Sequence, residues 1–158
     1  MPAVRRVVTI GVYDWSLETW LAALRDEAVG LVVDVRQRRG VRGSEYVWAN
    51  AKRLQAALAD AGIEYRHEPD LAPTTELRQL QYREDDRQGV GKRNRAQLAP
   101  EYVERYTHEI LDKVDLAPIA ADGSALFCVE RDPEACHRSL IAERIASQFG
   151  LDVSHLRP

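Results

Sequence analysis

The stretch CVERDPEACHRSLIAERI, residues 128–145, holds both cysteines of the chain, Cys128 and Cys136, one of its four histidines, His137, and the charged residues Glu130 and Arg138. If Asp132 caps the helix that follows and Pro133 takes its first position, Cys136 and His137 fall in the first turn or just after it. A helix N-terminus attracts anions and lowers a thiol's pKa from about 8.5 toward roughly 3.5–7.5. Three readings compete. Cys136 is an ionised nucleophile beside His137, with Glu130 as a second reactive group. Alternatively, the helix N-terminus and Arg138 hold a phosphate. In the third reading Cys136 is a small apolar plug one turn before Leu140. No metal is expected, because the seven-residue gap from Cys128 to Cys136 matches no usual zinc spacing. A redox pair would lack the C-x-x-C spacing, and "CHR" lacks the small residues of a phosphatase-type loop.

A second group lies near the start of the chain. In VDVRQRRGVRG, residues 33–43, Asp34 and Arg36 are two apart and share one face of a strand. Asp34 follows Leu31, Val32 and Val33, so its carboxylate is expected to be buried, and arginine is its best partner. That pair is either part of an anion site or an ion pair holding the sheet end to the last helix. Arg38, Arg39 and Arg42, interleaved with Gly40 and Gly43, let a backbone approach a phosphate. Tyr46 and Trp48 follow and can stack on a base. The anion-binding candidates are therefore Arg36, Arg138 and Arg42, with Asp34 orienting them and Tyr13 nearby.

These residues need a scaffold. Four apolar runs read as strands: Val7–Tyr13, Gly30–Arg36, Ile63–His67 and Ala125–Glu130, with a weaker fifth at Leu151–Leu156. The first two are nearly continuous Val, Ile and Leu, the pattern of strands covered on both faces. Helical stripes alternate with them. Ser16 caps one that carries Leu17, Trp20, Leu21 and Leu24. Asn50 starts a second, with Leu54, Ala57, Leu58 and Ala61 inward and Gly62 as its stop. Pro100 opens a third, carrying Val103, Tyr106, Ile110 and Leu111. The last carries Leu140, Ile141, Ile145 and Phe149 and ends at Gly150. This alternation predicts one α/β domain over residues 1–158, a Rossmann-like three-layer sandwich with a mainly parallel sheet of about five strands. In such sheets ligands bind beyond the carboxyl ends of the strands, where every candidate above falls. Residues 71–99 stand apart as a polar loop or lid insertion with a helical turn or two.

Composition narrows the function. Hydrophobic residues make up 45% and charged residues 30%, ordinary values for a globular protein. A net charge of −3 excludes a generally basic nucleic-acid binder, so any anion site is local. No run approaches the ~20 apolar residues of a membrane helix, so no membrane partner is expected. The N-terminus shows no signal-peptide pattern, and two cysteines make no disulfide framework, which together suggest a cytoplasmic protein. "GVYDWS" has a single glycine and is no dinucleotide fingerprint.

The segments TIG (Thr9–Gly11), VDVR (Val33–Arg36), AGIEYRHEPDL (Ala61–Leu71) and the C-x-E-x-x-P-x-x-C-H-R block formed by Cys128, Glu130, Pro133, Cys136, His137 and Arg138 resemble the prokaryotic family called domain of unknown function 488. The resemblance covers nearly the whole chain. It implies a small cytoplasmic α/β protein and no particular reaction. Val12 and Tyr13 stand where the family has histidine and serine, and Ala72 and Pro73 where it has a glycine pair. Function is left as an enzyme acting on a phosphorylated, nucleotide or nucleic-acid substrate, a binding module for such a ligand, or a structural polar network.

Overall fold

The computed structural model describes residues 5–91 and 94–158. Five strands form one sheet: β1 (Arg6–Ile10), β2 (Leu31–Asp34), β3 (Glu64–His67), β4 (Ser124–Phe127) and β5 (Asp152–His155). All pairings are parallel and the order is β3-β2-β4-β1-β5. Five helices connect them: α1 (Leu17–Asp26), α2 (Ala51–Asp60), α3 (Thr75–Gln88), α4 (Pro100–Glu109) and α5 (His137–Phe149). The expected three-layer α/β fold is present.

Alternation along the strands assigns the layers. Val8, Ile10, Val32, Ala125 and Phe127 pack with Trp20 and Leu24 of α1 and Leu54 and Leu58 of α2. Val7, Val33 and Leu126 pack with Leu77 of α3, Tyr102 and Tyr106 of α4, and Ile141 and Ile145 of α5. The two apolar cores thus lie on opposite sides of the sheet. Among the described residues no helix is long and apolar enough to cross a membrane.

β4 lies between β2 and β1. The chain leaves β1 and β2 for the α1/α2 layer, whereas it leaves β4 for α5 on the other side. Connections that diverge from neighbouring strands open a crevice at their carboxyl ends. Strand pairing here ends sooner than the apolar runs suggested, at Ile10, Asp34 and Phe127. Bonds beyond those ends keep the three exits together. Cys128 N donates to Ile10 O (3.3 Å), Val35 N to Phe127 O (3.0 Å) and Val12 N to Val129 O (2.9 Å).

The helix signals resolve as follows. Ser16 forms a capping box with Thr19. Pro100 sits in the first turn of α4, and Gly150 ends α5 in the left-handed conformation (φ 69°). Asn50 occupies the α2 cap position, but its side chain accepts from Val41 N (2.8 Å) instead. Two expectations are corrected. Asp132 and Pro133 do not start the last helix; they start a separate 3-10 turn, Pro133–Ala135, and α5 begins at His137 with Cys136 at its cap position. In α4, Tyr102 rather than Val103 is buried, and the helix stops before Ile110 and Leu111.

Residues 71–99 contain α3, a four-turn helix capped by Thr74 and closed by Gly89 (φ 72°). Leu77 and Leu80 are buried, and so are Gln81 and Asp85.

Candidate functional site: an arginine-lined cleft over a cysteine–histidine floor

A cleft of about 440 Å³ opens at the carboxyl end of β4. Its floor comes from the exits of β2 and β4 and the start of α5. One wall is the loop 37–42 and the other is α3 with the segment after it. Arg36, Arg38 and Arg42 line it from one side, and Arg78 and Arg95 from the other. Glu130 is the sole carboxylate among its lining residues.

At the floor, His137 is buried and its Nε2 lies 2.8 Å from Val35 O. A carbonyl only accepts, so Nε2 carries a proton, and Nδ1 faces two sulfurs: Cys136 Sγ at 3.7 Å and Cys128 Sγ at 3.9 Å. The imidazole also packs on Tyr106, 5.6 Å between ring centres, which fixes its orientation. Both cysteines are buried, and neither is in a disulfide. They act as a pair. The hydrogen bond to Cys136, together with burial, pushes the Cys128 thiol well above the ordinary range. Burial also raises Cys136, but the bond from Cys128 and the adjacent His137 outweigh it and hold its thiol well below that range. Glu130 is half-buried at the rim of the floor. Burial, and then the neighbouring Cys136, raise its carboxyl to about 7, against the pull of Arg95 and Arg138.

The arginines fall into two classes. Arg36 is 1% exposed. Its Nε and Nη2 donate to the two oxygens of Asp34 (2.9 and 2.8 Å), and its Nη1 donates to Ala49 O (2.8 Å). Tyr65 Oη also donates to Asp34 (2.6 Å). The ion pair therefore fastens the end of β2 to the turn before α2, and not to the last helix. Arg138 is 0% exposed. It donates to Glu130 O (2.6 Å) and Arg131 O (3.1 Å), tying the β4 exit to α5, and it does not line the cleft. Gly11 presses on that exit from the other side. A Cβ there would collide with the Glu130 carbonyl. Arg95 is likewise engaged, bonding Asp85 through Nε and Nη2 (3.0 and 2.8 Å) and reaching Ala135 O (3.2 Å).

The remaining three differ. Arg38 and Arg42 are exposed, and among the described residues neither has an ion-pair partner. Arg78 is half-buried and bonds only neutral groups, Gln37 Oε1 and Tyr82 Oη (2.9 Å). The 37–42 loop that carries Arg38 and Arg42 is itself held: Val41 N donates to Asn50 Oδ1, and Ala51 N donates to Arg39 O (3.1 Å). Tyr13, at the β1 exit, stacks edge-on with Tyr46 (5.3 Å) and lines the same cleft.

The sequence candidates Cys136, His137, Glu130, Arg36, Arg42 and Tyr13 thus meet in one cleft, with Asp34 beneath Arg36 and Arg138 behind the β4 exit. Sequence reasoning missed Arg78 and Arg95. Their signal was the basic character of residues 71–99, six arginines and lysines against four acids.

A family model described as "Domain of unknown function DUF488" matches residues 16–145. No curated protein and no solved structure matches the chain.

Proposed function

The chain belongs to the DUF488 family, and we propose that it is an enzyme whose cleft takes a phosphate-bearing small molecule of about nucleotide size and presents it to Cys136, His137 and Glu130. One observation carries the reading. Among the described residues, Arg38, Arg42 and Arg78 leave three guanidinium charges without a carboxylate around a cleft in a protein whose net charge is −3. Arginine's planar fork matches phosphate oxygens in pairs of bonds. Charges of one sign along a concave wall also focus the field on an incoming anion.

The size agrees. A 440 Å³ cleft falls within the range of about 300–1,000 Å³ that holds small-molecule ligands. Tyr13 and Tyr82 line the cleft beside the arginines. The division of labour follows from position: the arginines at the mouth hold the anionic end, and the polar floor meets the rest of the molecule. Arg36, Asp34 and Arg138 support this arrangement from behind by fixing the exits of β2 and β4.

The test is calorimetric titration of inorganic phosphate and of nucleoside mono-, di- and triphosphates. The parent should bind at least one of them, with affinity falling as salt rises. Arg78→Gln and Arg42→Gln should each weaken binding about tenfold, since a charge-assisted hydrogen bond is worth about 1.5 kcal/mol or more. Absence of binding by the parent, or equal binding by parent and variants, would reject the site.

A further inference from the structure

We infer that Cys128, Cys136 and His137 form a binding site for a thiophilic divalent cation, zinc foremost, with one coordination position open to the cleft. The inference shares Cys136 and His137 with the proposed catalytic floor but uses none of the mouth arginines, so phosphate binding and zinc binding are tested separately.

The geometry carries it. Bonds of about 2.3 Å from zinc to sulfur and about 2.0–2.1 Å to nitrogen, at tetrahedral angles, set sulfur and nitrogen roughly 3.6 Å apart. Here Nδ1 of His137 lies 3.7 Å from one sulfur and 3.9 Å from the other, and all three ligand atoms lie within 4.8 Å of one another. The sulfur–nitrogen spacings need shifts of only a few tenths of an ångström, and the two sulfurs, within 4.8 Å of each other, close toward roughly 3.8 Å around an ion.

The imidazole is already set for the role. Ligating histidines commonly donate their second ring N–H to a carbonyl or carboxylate, which fixes tautomer and ring orientation. His137 makes that bond to Val35 O at 2.8 Å and turns Nδ1 to the sulfurs. The fold supplies what the sequence spacing hid. Cys128 leaves β4, the 3-10 turn Pro133–Ala135 turns the chain back, and Cys136 and His137 start α5 beside it. A seven-residue gap becomes a sulfur–nitrogen contact.

Charge also favours the cation. Two thiolates and one divalent ion sum to zero with a neutral imidazole, so the buried site carries no net charge. All three residues line the cleft, which gives the ion a path from solvent. Among the described residues no fourth histidine, cysteine or carboxylate joins the cluster. Three protein ligands with an open position are the arrangement of catalytic zinc rather than structural zinc. Glu130 lines the same cleft.

The experiment uses the whole chain, reduced and stripped with a chelator, and titrated with zinc against a chromophoric competitor. Cobalt is titrated in parallel. The expected result is one zinc per chain. Cobalt should give a thiolate charge-transfer band in the near ultraviolet and the intense visible bands of a tetrahedral ion. Cys128→Ser and Cys136→Ser should each weaken zinc binding more than about a hundredfold, beyond the 10–100-fold that outer partners alone account for. Thermal melts of the two serine variants establish that they are folded. Arg42→Gln should bind zinc as the parent does, so that loss of phosphate binding and loss of zinc binding are told apart. No uptake by the reduced parent, uptake equal in parent and serine variants, or cobalt spectra without a thiolate band would each overturn the inference.

Discussion

Under the cleft, Arg36 and Arg138 have little or no exposure; Arg36 donates to Asp34 and Ala49 O, and Arg138 donates to the backbone carbonyls of Glu130 and Arg131, its Nε having no partner among the described residues. At its mouth, Arg38 and Arg42 stand in solvent, and Arg78 bonds only Gln37 and Tyr82. The same side chain serves two ends. Below, a guanidinium is a bracket whose bonds lie within the fold: Asp34 matches the charge of Arg36, and Arg138 ties two backbone carbonyls together. Above, it is surplus charge held on a fixed loop and a helix. A buried charge must be matched internally, because leaving it unmatched costs several kcal/mol, whereas an exposed one is matched by water until a ligand arrives. Burial therefore separates the two roles where residue type cannot.

Asp34→Asn should break the comparison most forcefully. It keeps the size of the side chain and leaves Arg36 charged and buried opposite a neutral amide that offers one acceptor in place of two. Removing one member of a buried pair destabilises by about 3–5 kcal/mol. At about 2–4 °C per kcal/mol for a chain of this length, the melting temperature should fall by roughly 6–20 °C. A variant that melts like the parent and only binds phosphate more weakly would move Arg36 from bracket to ligand.

The next largest effect is at Gly11. Its Cα leaves room for the Glu130 carbonyl that Arg138 holds from the other side. Gly11→Ala forces the β4 exit away, and overpacking of this kind costs about 1–3 kcal/mol. The loss should reach the floor as well, because Glu130 and Cys128 ride on the displaced segment. A thermal melt together with the zinc titration measures both, and a variant unchanged in each would show that the exit is loosely held.

How much of this could be read from the sequence varies with the kind of signal. Val7–Ile10 and Leu31–Val33 are apolar runs interrupted only by Thr9, and Ser16, Pro100 and Gly150 are local chemical marks, so those elements are legible. α3 was hidden because only Leu77 and Leu80 are apolar on its buried face. Gln81 and Asp85 fill the rest of that face, satisfied by each other, by Arg95 and by Ala99 N. Hydrophobic periodicity cannot register a polar face buried by hydrogen bonds. The start of α5 was misplaced for a related reason: Asp132 and Pro133 are good cap and first-turn residues, and they serve the 3-10 turn before it. At the site, the sequence brought Cys136, His137 and Glu130 to one sheet edge. It could not bring Cys128 to His137, because a seven-residue gap is uninformative until the turn that closes it is known.

The smallest effect on stability, and the sharpest test of the mouth, is the double variant Arg38→Gln, Arg42→Gln. Both side chains are exposed and without ion-pair partners among the described residues. Surface replacements away from caps and pairs stay within about 0.5 kcal/mol. The melting temperature should therefore move by no more than about 2 °C. The loop should also keep its shape, since Val41 N and Arg39 O anchor it to Asn50 and Ala51 through backbone atoms and the Asn50 amide. Binding should respond differently. Two of the three uncompensated charges are gone, so affinity for the phosphate ligand should fall, and its salt dependence should flatten with it because there is less attraction left to screen. Titration of the ligand at two or three salt concentrations, in parent and double variant, reads both quantities. Lost affinity with an unchanged melt confirms that the mouth arginines are surplus charge. Lost stability with unchanged affinity would make them brackets like Arg36 and Arg138, and the contrast between mouth and floor would disappear.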